Sequence, residues 1–264
     1  MKRKAFWIFA GLAPVLFFSH SILRAQANPP RLAPPDWVDQ NLEKIRTVKA
    51  YVEIRIADFN AKSSRQAFAQ IAAQKTHYRF YLKAFGPSTP EHFTLAADRG
   101  LFWLKIPRLK TVFAGPEEAL LPEELEWQLS PQDFREMLFP DPIRQENKKI
   151  EIADSPLHWI VSSFIPAGRD FLKDREIRID RRSLRIVKDV RYSVGGTPYL
   201  EIAWDEPREN ARGETFSTQI TLTKQTLGRE IRLGIRKWEI NAEIPEDLFS
   251  KPSPEGFKTE ELRR

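Results

Sequence analysis

Cysteine is absent from all 264 residues. That excludes a disulfide framework, thiolate metal sites, a cysteine nucleophile and a lipid-modified cysteine. Histidine is scarce as well, with four in the chain. His20 lies in the N-terminal leader, and His77, His92 and His158 are far apart, without the i, i+4 spacing of a helical metal site. No Gly-rich phosphate loop, nucleophile elbow or internal repeat is present. Gly195-Gly196 reads as a hairpin turn. Carboxylates are plentiful, so a two-carboxylate hydrolase is conceivable, but Glu201, Asp205 and Glu206 read as solvated strand and turn charges. No catalytic residue, metal ligand or cofactor is therefore expected.

A strong charge of one sign is also missing. The formal net charge is +6, with 42 basic and 36 acidic residues. Lys2, Arg3, Lys4 and Arg24 belong to the leader, and without them 38 basic residues face 36 acidic ones. Such a balance gives no electrostatic case for nucleic acid or for a membrane surface.

The leader has a recognisable design. A basic start at Lys2-Arg3-Lys4 precedes an apolar run from Ala5 to Phe18, and Ala25-Gln26-Ala27 supplies the small-x-small pattern of a signal-peptidase site. A secretory signal is expected over 1–27, with an uncleaved inner-membrane anchor as the alternative. A Pro-rich lead occupies 28–35, one domain 36–257, and a charged tail 258–264. About 237 residues beyond the signal are enough to bury a core without crosslinks.

From Asp36, placed to cap a helix, Trp37, Val38, Asn41, Leu42 and Ile45 recur at helical spacing to about Arg46. The period then changes. Val48, Ala50, Val52, Ile54 and Ile56 alternate with Lys49, Glu53 and Arg55. About a dozen such runs follow, separated by turns too short for crossover helices, so neighbours must be antiparallel. A helical interlude over about 116–138 interrupts them. Its clearest piece has Ser130 as cap, Pro131 at the first helical position and Asp133 three residues after the cap.

The expected fold is mainly β: a strongly curved antiparallel sheet, an incomplete barrel of about 11–12 strands, with helices over its concave face. Val52, Ile54, Ile56, Phe80, Leu82, Phe102, Leu104 and Ile106 are the candidates for the lining of an apolar cavity. Leu42, Ile45, Phe134 and Leu138 would form its lid. Trp37, Trp103, Trp127, Trp159, Trp204 and Trp238 are spread over most elements and suit core packing or cavity lining.

Several segments carry a resemblance. Leu42-Glu43-Lys44-Ile45-Arg46-Thr47-Val48, Tyr78-Arg79-Phe80-Tyr81-Leu82 with Phe85-Gly86-Pro87, and Leu129-Ser130-Pro131-Gln132-Asp133-Phe134 resemble the lipoprotein localisation factors of the Gram-negative envelope. These are the periplasmic lipoprotein carrier and its outer-membrane receptor. The closing Trp238-Glu239-Ile240-Asn241, Ile244-Pro245 and Phe249 are similar to the carrier-like relatives. The resemblance implies a periplasmic half-barrel that binds acyl chains of lipids or lipoproteins, with inner- or outer-membrane transport proteins as partners. The family's functional arginine on an early strand has Arg55 and Arg79 as possible counterparts, and neither is assigned. The missing cysteine favours a soluble carrier, expected as a monomer, over an anchored receptor. An envelope sensor or interaction module on the same fold is the alternative.

Overall fold

The computed structural model describes residues 34–86, 89–125, 129–210, 213–252 and 254–263. The expected signal, most of the Pro-rich lead, Pro87 and Trp127 lie outside the described residues. No helix among those described is long and apolar enough to cross a membrane.

Two meanders build the sheet. The first contains β1 (Thr47–Asp58), β2 (Ser63–Gln74), β3 (Arg79–Gly86), β4 (Thr89–Asp98), β5 (Leu101–Ile106) and β6 (Thr111–Pro116). The second contains β7 (Lys149–Asp154), β8 (His158–Ala167), β9 (Asp170–Asp180), β10 (Ile186–Tyr192), β11 (Pro198–Glu209), β12 (Thr215–Lys224) and β13 (Arg229–Ile240). The antiparallel pairing of β1 with β13 joins them into one open sheet. The segment expected as a charged tail contributes β14 (Lys258–Glu261), which pairs parallel to β6 at the sheet edge. Fourteen strands result, and the two edges of the sheet do not meet.

Alternation places the core on one face. Leu104, Leu95, Leu82, Ile71, Ala50 and Trp238 stand opposite one another across six consecutive strands. The first five of these are buried, as are Val52 and Ile54 of β1. Each large apolar side chain removed from water in this way contributes roughly 1.5–3 kcal/mol.

Helix α2 (Pro131–Leu138) lies against this face and reveals its curvature. Phe134 stacks on Phe80 of β3 with ring centroids 5.9 Å apart. Near the C-terminal end of the helix, Trp204 Nε1 of β11 donates to the Met137 carbonyl at 2.8 Å. Four strands separate β3 from β11 in the sheet. In a flat sheet that is about 24 Å at normal strand spacing, whereas a helix is only about 10–12 Å across. One helix touches both strands because the sheet wraps around it.

Sequence and structure agree on the start of α2. Ser130 Oγ accepts from Asp133 N at 3.2 Å, and the Asp133 carboxylate accepts from Ser130 N at 2.7 Å, completing a capping box. Helix α1 spans Pro34–Leu42, starting earlier and ending sooner than its periodicity predicts. Proline fits a first helical turn. The Arg46 N–H is claimed by Asn241 Oδ1 at 2.8 Å, which diverts the chain into β1. Asp36 lies within the helix and does not cap it; its carboxylate meets Arg144. Asp39 accepts from Ile143 N at 2.7 Å, tying α1 to the segment after α2.

Candidate functional site

The eight strand residues expected to line a cavity do come together on one face, and all are buried. They belong to a continuous core with Phe134, Met137 and Leu138 of α2. The space above them is therefore occupied by packed side chains, those of α2 among them. The expected lid residues divide: Phe134 is fully buried against Phe80, whereas Leu42, Ile45 and Leu138 face a pocket farther along the molecule.

That pocket has a volume of about 390 Å³ and a mostly apolar lining. Val38 and Leu42 of α1, with Ile45 beyond it, form one wall. Leu138, Phe139 and Pro140 at the end of α2 form a second. Trp204 of β11, Phe216 of β12 and Ile240 of β13 supply the sheet side, and the β9–β10 turn adds Leu184, Arg185 and Ile186. Of these, only Leu42, Ile45 and Leu138, expected in the lid, and Trp204 are candidates from the sequence. Phe216 sits inside an ordinary alternating run and Arg185 at the end of a turn, where nothing local shows which end of the sheet stays open.

The turn that carries Arg185 is well held. Asp180 accepts hydrogen bonds from Ser183 N at 2.7 Å, Ser183 Oγ at 2.8 Å and Arg182 N at 3.1 Å. These bonds, the Ser183 N–H foremost, hold its carboxyl below the usual aspartate value. Leu184 adopts a left-handed backbone with φ of 56°. A leucine takes that conformation only where surrounding structure enforces it. The Arg185 guanidinium donates to Ser217 Oγ at 3.0 Å, and burial alone lowers its pKa.

Charge is concentrated beside the pocket, where α2 meets β9 and β10, and the alternation of those strands gives little sign of it. Arg175 grips Asp189 through Nε and Nη2 at 2.8–3.0 Å and also donates to the Pro142 and Asp141 carbonyls. Arg191 meets Glu136 at 2.7 Å, and Arg135 meets Glu117 at 2.9 Å. Burial opposes the charge on Arg191, yet Glu136, Asp189 and Asp141 outweigh it and raise its pKa. Burial likewise raises the carboxyl pKa of Glu136 and of Glu117. Lys224 closes the set by binding the capping Asp133 at 2.8 Å. The Glu136–Arg191 and Asp133–Lys224 pairs fasten α2 to the second meander, Arg135–Glu117 ties it to the segment after β6, and the aromatic stack fastens it to the first meander.

Arg79 and Arg55 also differ in setting. Arg79 is buried between Asp98, at 2.9 Å, and Glu246, while Arg55 is exposed beside Glu53. Neither lines the pocket. Among the described residues no group of three or more His, Asp or Glu is placed to hold a metal ion.

No family model matches the sequence, and no curated protein matches it. Solved structures do match. A putative outer membrane lipoprotein-sorting protein domain from Vibrio parahaemolyticus superposes with a TM-score of 0.58 at 11% identity, over 81% of this chain and 97% of that one. A LolA superfamily protein from Nitrosomonas europaea gives 0.59 at 12% identity, over 83% and 99%. A DUF1329 family protein from Desulfovibrio piger gives 0.61 at 10% identity, over 82% and 94%. The open sheet wrapped around a helix is thus the fold of the LolA superfamily and of outer-membrane lipoprotein-sorting domains, the fold that the sequence resemblance implies.

Proposed function

We propose that this chain is an exported, non-enzymatic carrier that shields an acyl chain from water during transport of lipids or lipoproteins across the periplasm. The observation that carries this reading is the mostly apolar pocket of about 390 Å³ between α1, the end of α2 and the open end of the sheet. Its size falls in the range of about 300–1,000 Å³ typical of small-molecule sites. Likeness to lipoprotein-sorting domains supports the same reading through the fold. The buried face of Val52, Ile54, Ile56, Phe80, Leu82, Phe102, Leu104 and Ile106 would be reached by a longer chain if α2 lifted. No cofactor is required.

The test is recovery of the protein from the envelope, followed by native mass spectrometry and lipid extraction. Bound acyl species are expected, and Leu42→Asp is expected to lower their occupancy several-fold with the circular dichroism spectrum unchanged. A chain that is always lipid-free and has no affinity for fatty-acyl probes would sink the carrier reading. The N-terminus of the recovered protein tests export: a start after Ala27 is expected, and a start at Met1 indicates an uncleaved anchor.

The interaction-module reading has one observation in its favour. β7 forms a sheet edge, and Ile152 on it, Leu157 beyond it and Phe171 at the start of β9 are exposed. A strand edge of this kind can accept a partner strand. Envelope proteins retained by wild type and lost by Ile152→Lys, with no lipid bound in either, would favour it.

A further inference from the structure

Among the described residues, the arginines other than Arg185 that are withdrawn wholly or partly from water are answered by carboxylates. Arg79 meets Asp98, Arg135 meets Glu117, Arg175 meets Asp189 and Arg191 meets Glu136. Arg185 is different. It is half-buried in the pocket wall, its one hydrogen bond goes to the neutral Ser217 hydroxyl, and no carboxylate among the described residues lies within ion-pair distance. A guanidinium withdrawn from water without a counter-charge is costly, and the cost is removed when an anion arrives.

The surroundings favour the same kind of visitor. Lys44 and Lys75 also border the pocket, with their ammonium groups resting on the neutral Asn41 side chain and Leu42 carbonyl. The carboxylate in the lining, Glu214, is already engaged by the Asn210 amide at 2.7 Å. The pocket therefore combines an apolar body with an excess of positive charge. Its volume suits one aliphatic chain, since an apolar cavity of about 150 Å³ already accommodates a benzene ring. A planar carboxylate can take two parallel hydrogen bonds from a guanidinium, which a neutral alcohol cannot.

We infer that the pocket takes a single-chain anionic amphiphile, a long-chain carboxylate, whose head pairs with Arg185 while its chain lies among Leu42, Phe139, Trp204 and Phe216. This rests on the carrier reading and names the ligand class. The Asp180-held turn leads into Arg185 and the Ser217 hydroxyl holds its guanidinium before the ligand arrives, so little ordering remains to be done on binding.

The experiment compares dodecanoate with dodecanol, the same chain with and without the charge, by isothermal titration of the wild-type protein and Arg185→Met at neutral pH. Wild type is expected to prefer dodecanoate by roughly ten-fold, and Arg185→Met to lose that preference while still binding dodecanol. Arg185→Lys is expected to recover part of it. Equal wild-type affinity for the two ligands, or a preference that survives in Arg185→Met, overturns the inference and leaves the carrier reading standing. Binding of neither ligand overturns both. Dodecanol binding reports that the variant pocket is folded; if Arg185→Met fails that check, Arg185→Gln carries the comparison. Dodecyl phosphate serves as a third ligand, and a preference for it over dodecanoate overturns the choice of a carboxylate head.

Discussion

At the scale of single residues, Asp180 shows how a small turn can govern a site. Its carboxylate receives three hydrogen bonds, and with them the chain is bent so that Leu184 and Arg185 face the pocket. Because those bonds favour the ionised form, the carboxyl titrates lower in the folded protein than in the unfolded chain. The associated stability is thus complete above the ordinary aspartate range near about 4 and is lost as pH falls through the depressed folded value. Asp180→Ala is expected to cost about 1 kcal/mol in urea unfolding at neutral pH. That cost should shrink as the solution is acidified below the aspartate range. A difference between wild type and variant that stays constant down to pH 2 would show that the carboxylate does not hold the turn. The turn itself is readable from Asp180 to Ser183 in sequence. Arg185 as an unpaired charge is not, because its isolation depends on what five other elements fail to place beside it.

At the scale of elements, α2 was the most legible piece and its role the least. Ser130, Pro131 and Asp133 announce the helix start by local chemistry, and the structure has that capping box. What cannot be read locally is that the helix faces two different surfaces. Toward β3 it presents Phe134 to Phe80; toward β10 and β12 it presents Glu136 and Asp133 to Arg191 and Lys224. Polar residues in strands normally mark the solvated side, so Arg175, Asp189 and Arg191 read as surface until the helix is seen lying on them. Arg175 reaches past its partner Asp189 to the Asp141 and Pro142 carbonyls, so it fixes the exit of α2 as well. Arg175→Met is expected to destabilise the fold by about 3 kcal/mol, because Asp189 is left buried and charged with only the more distant Arg191, 3.9 Å away, to answer it. Arg175→Met with Asp189→Leu should recover much of that loss. The comparison is made by urea unfolding, and a double variant no more stable than the single one would mean that the carbonyl contacts, not the ion pair, set the cost.

At the scale of the whole molecule, the strand alternation was legible and the way the strands assemble was not. Val48 to Ile56 announces a half-buried strand, but nothing in it says that its second neighbour is Arg229–Ile240, far along the chain. The far edge of the sheet was hidden for a related reason. Lys258–Glu261 is uniformly polar and exposed, so it has no periodicity to read, and it becomes a strand only because β6 offers a free edge. The Lys258 N–H donates to the Lys110 carbonyl at 2.9 Å and the Leu262 N–H to the Ala114 carbonyl at 2.7 Å. Gly115 permits that approach: a methyl group there would stand 2.8 Å from the Leu262 carbonyl oxygen and 3.2 Å from the Phe102 ring. Backbone crowds it on one side and a buried ring on the other, so neither can yield cheaply. Gly115→Ala is therefore expected to detach β14 while the remaining strands stay paired. In hydrogen exchange the Lys258 and Leu262 amides should lose protection, and those in β1 and β13 should keep theirs. Chain binding should be unchanged, since no residue of β14 or β6 lines the pocket. Retained protection at Leu262 would show that the edge can absorb a methyl group. Loss of protection throughout β1 and β13 would instead make this short charged strand a support for the whole sheet, rather than a cover for the edge that β6 would otherwise expose.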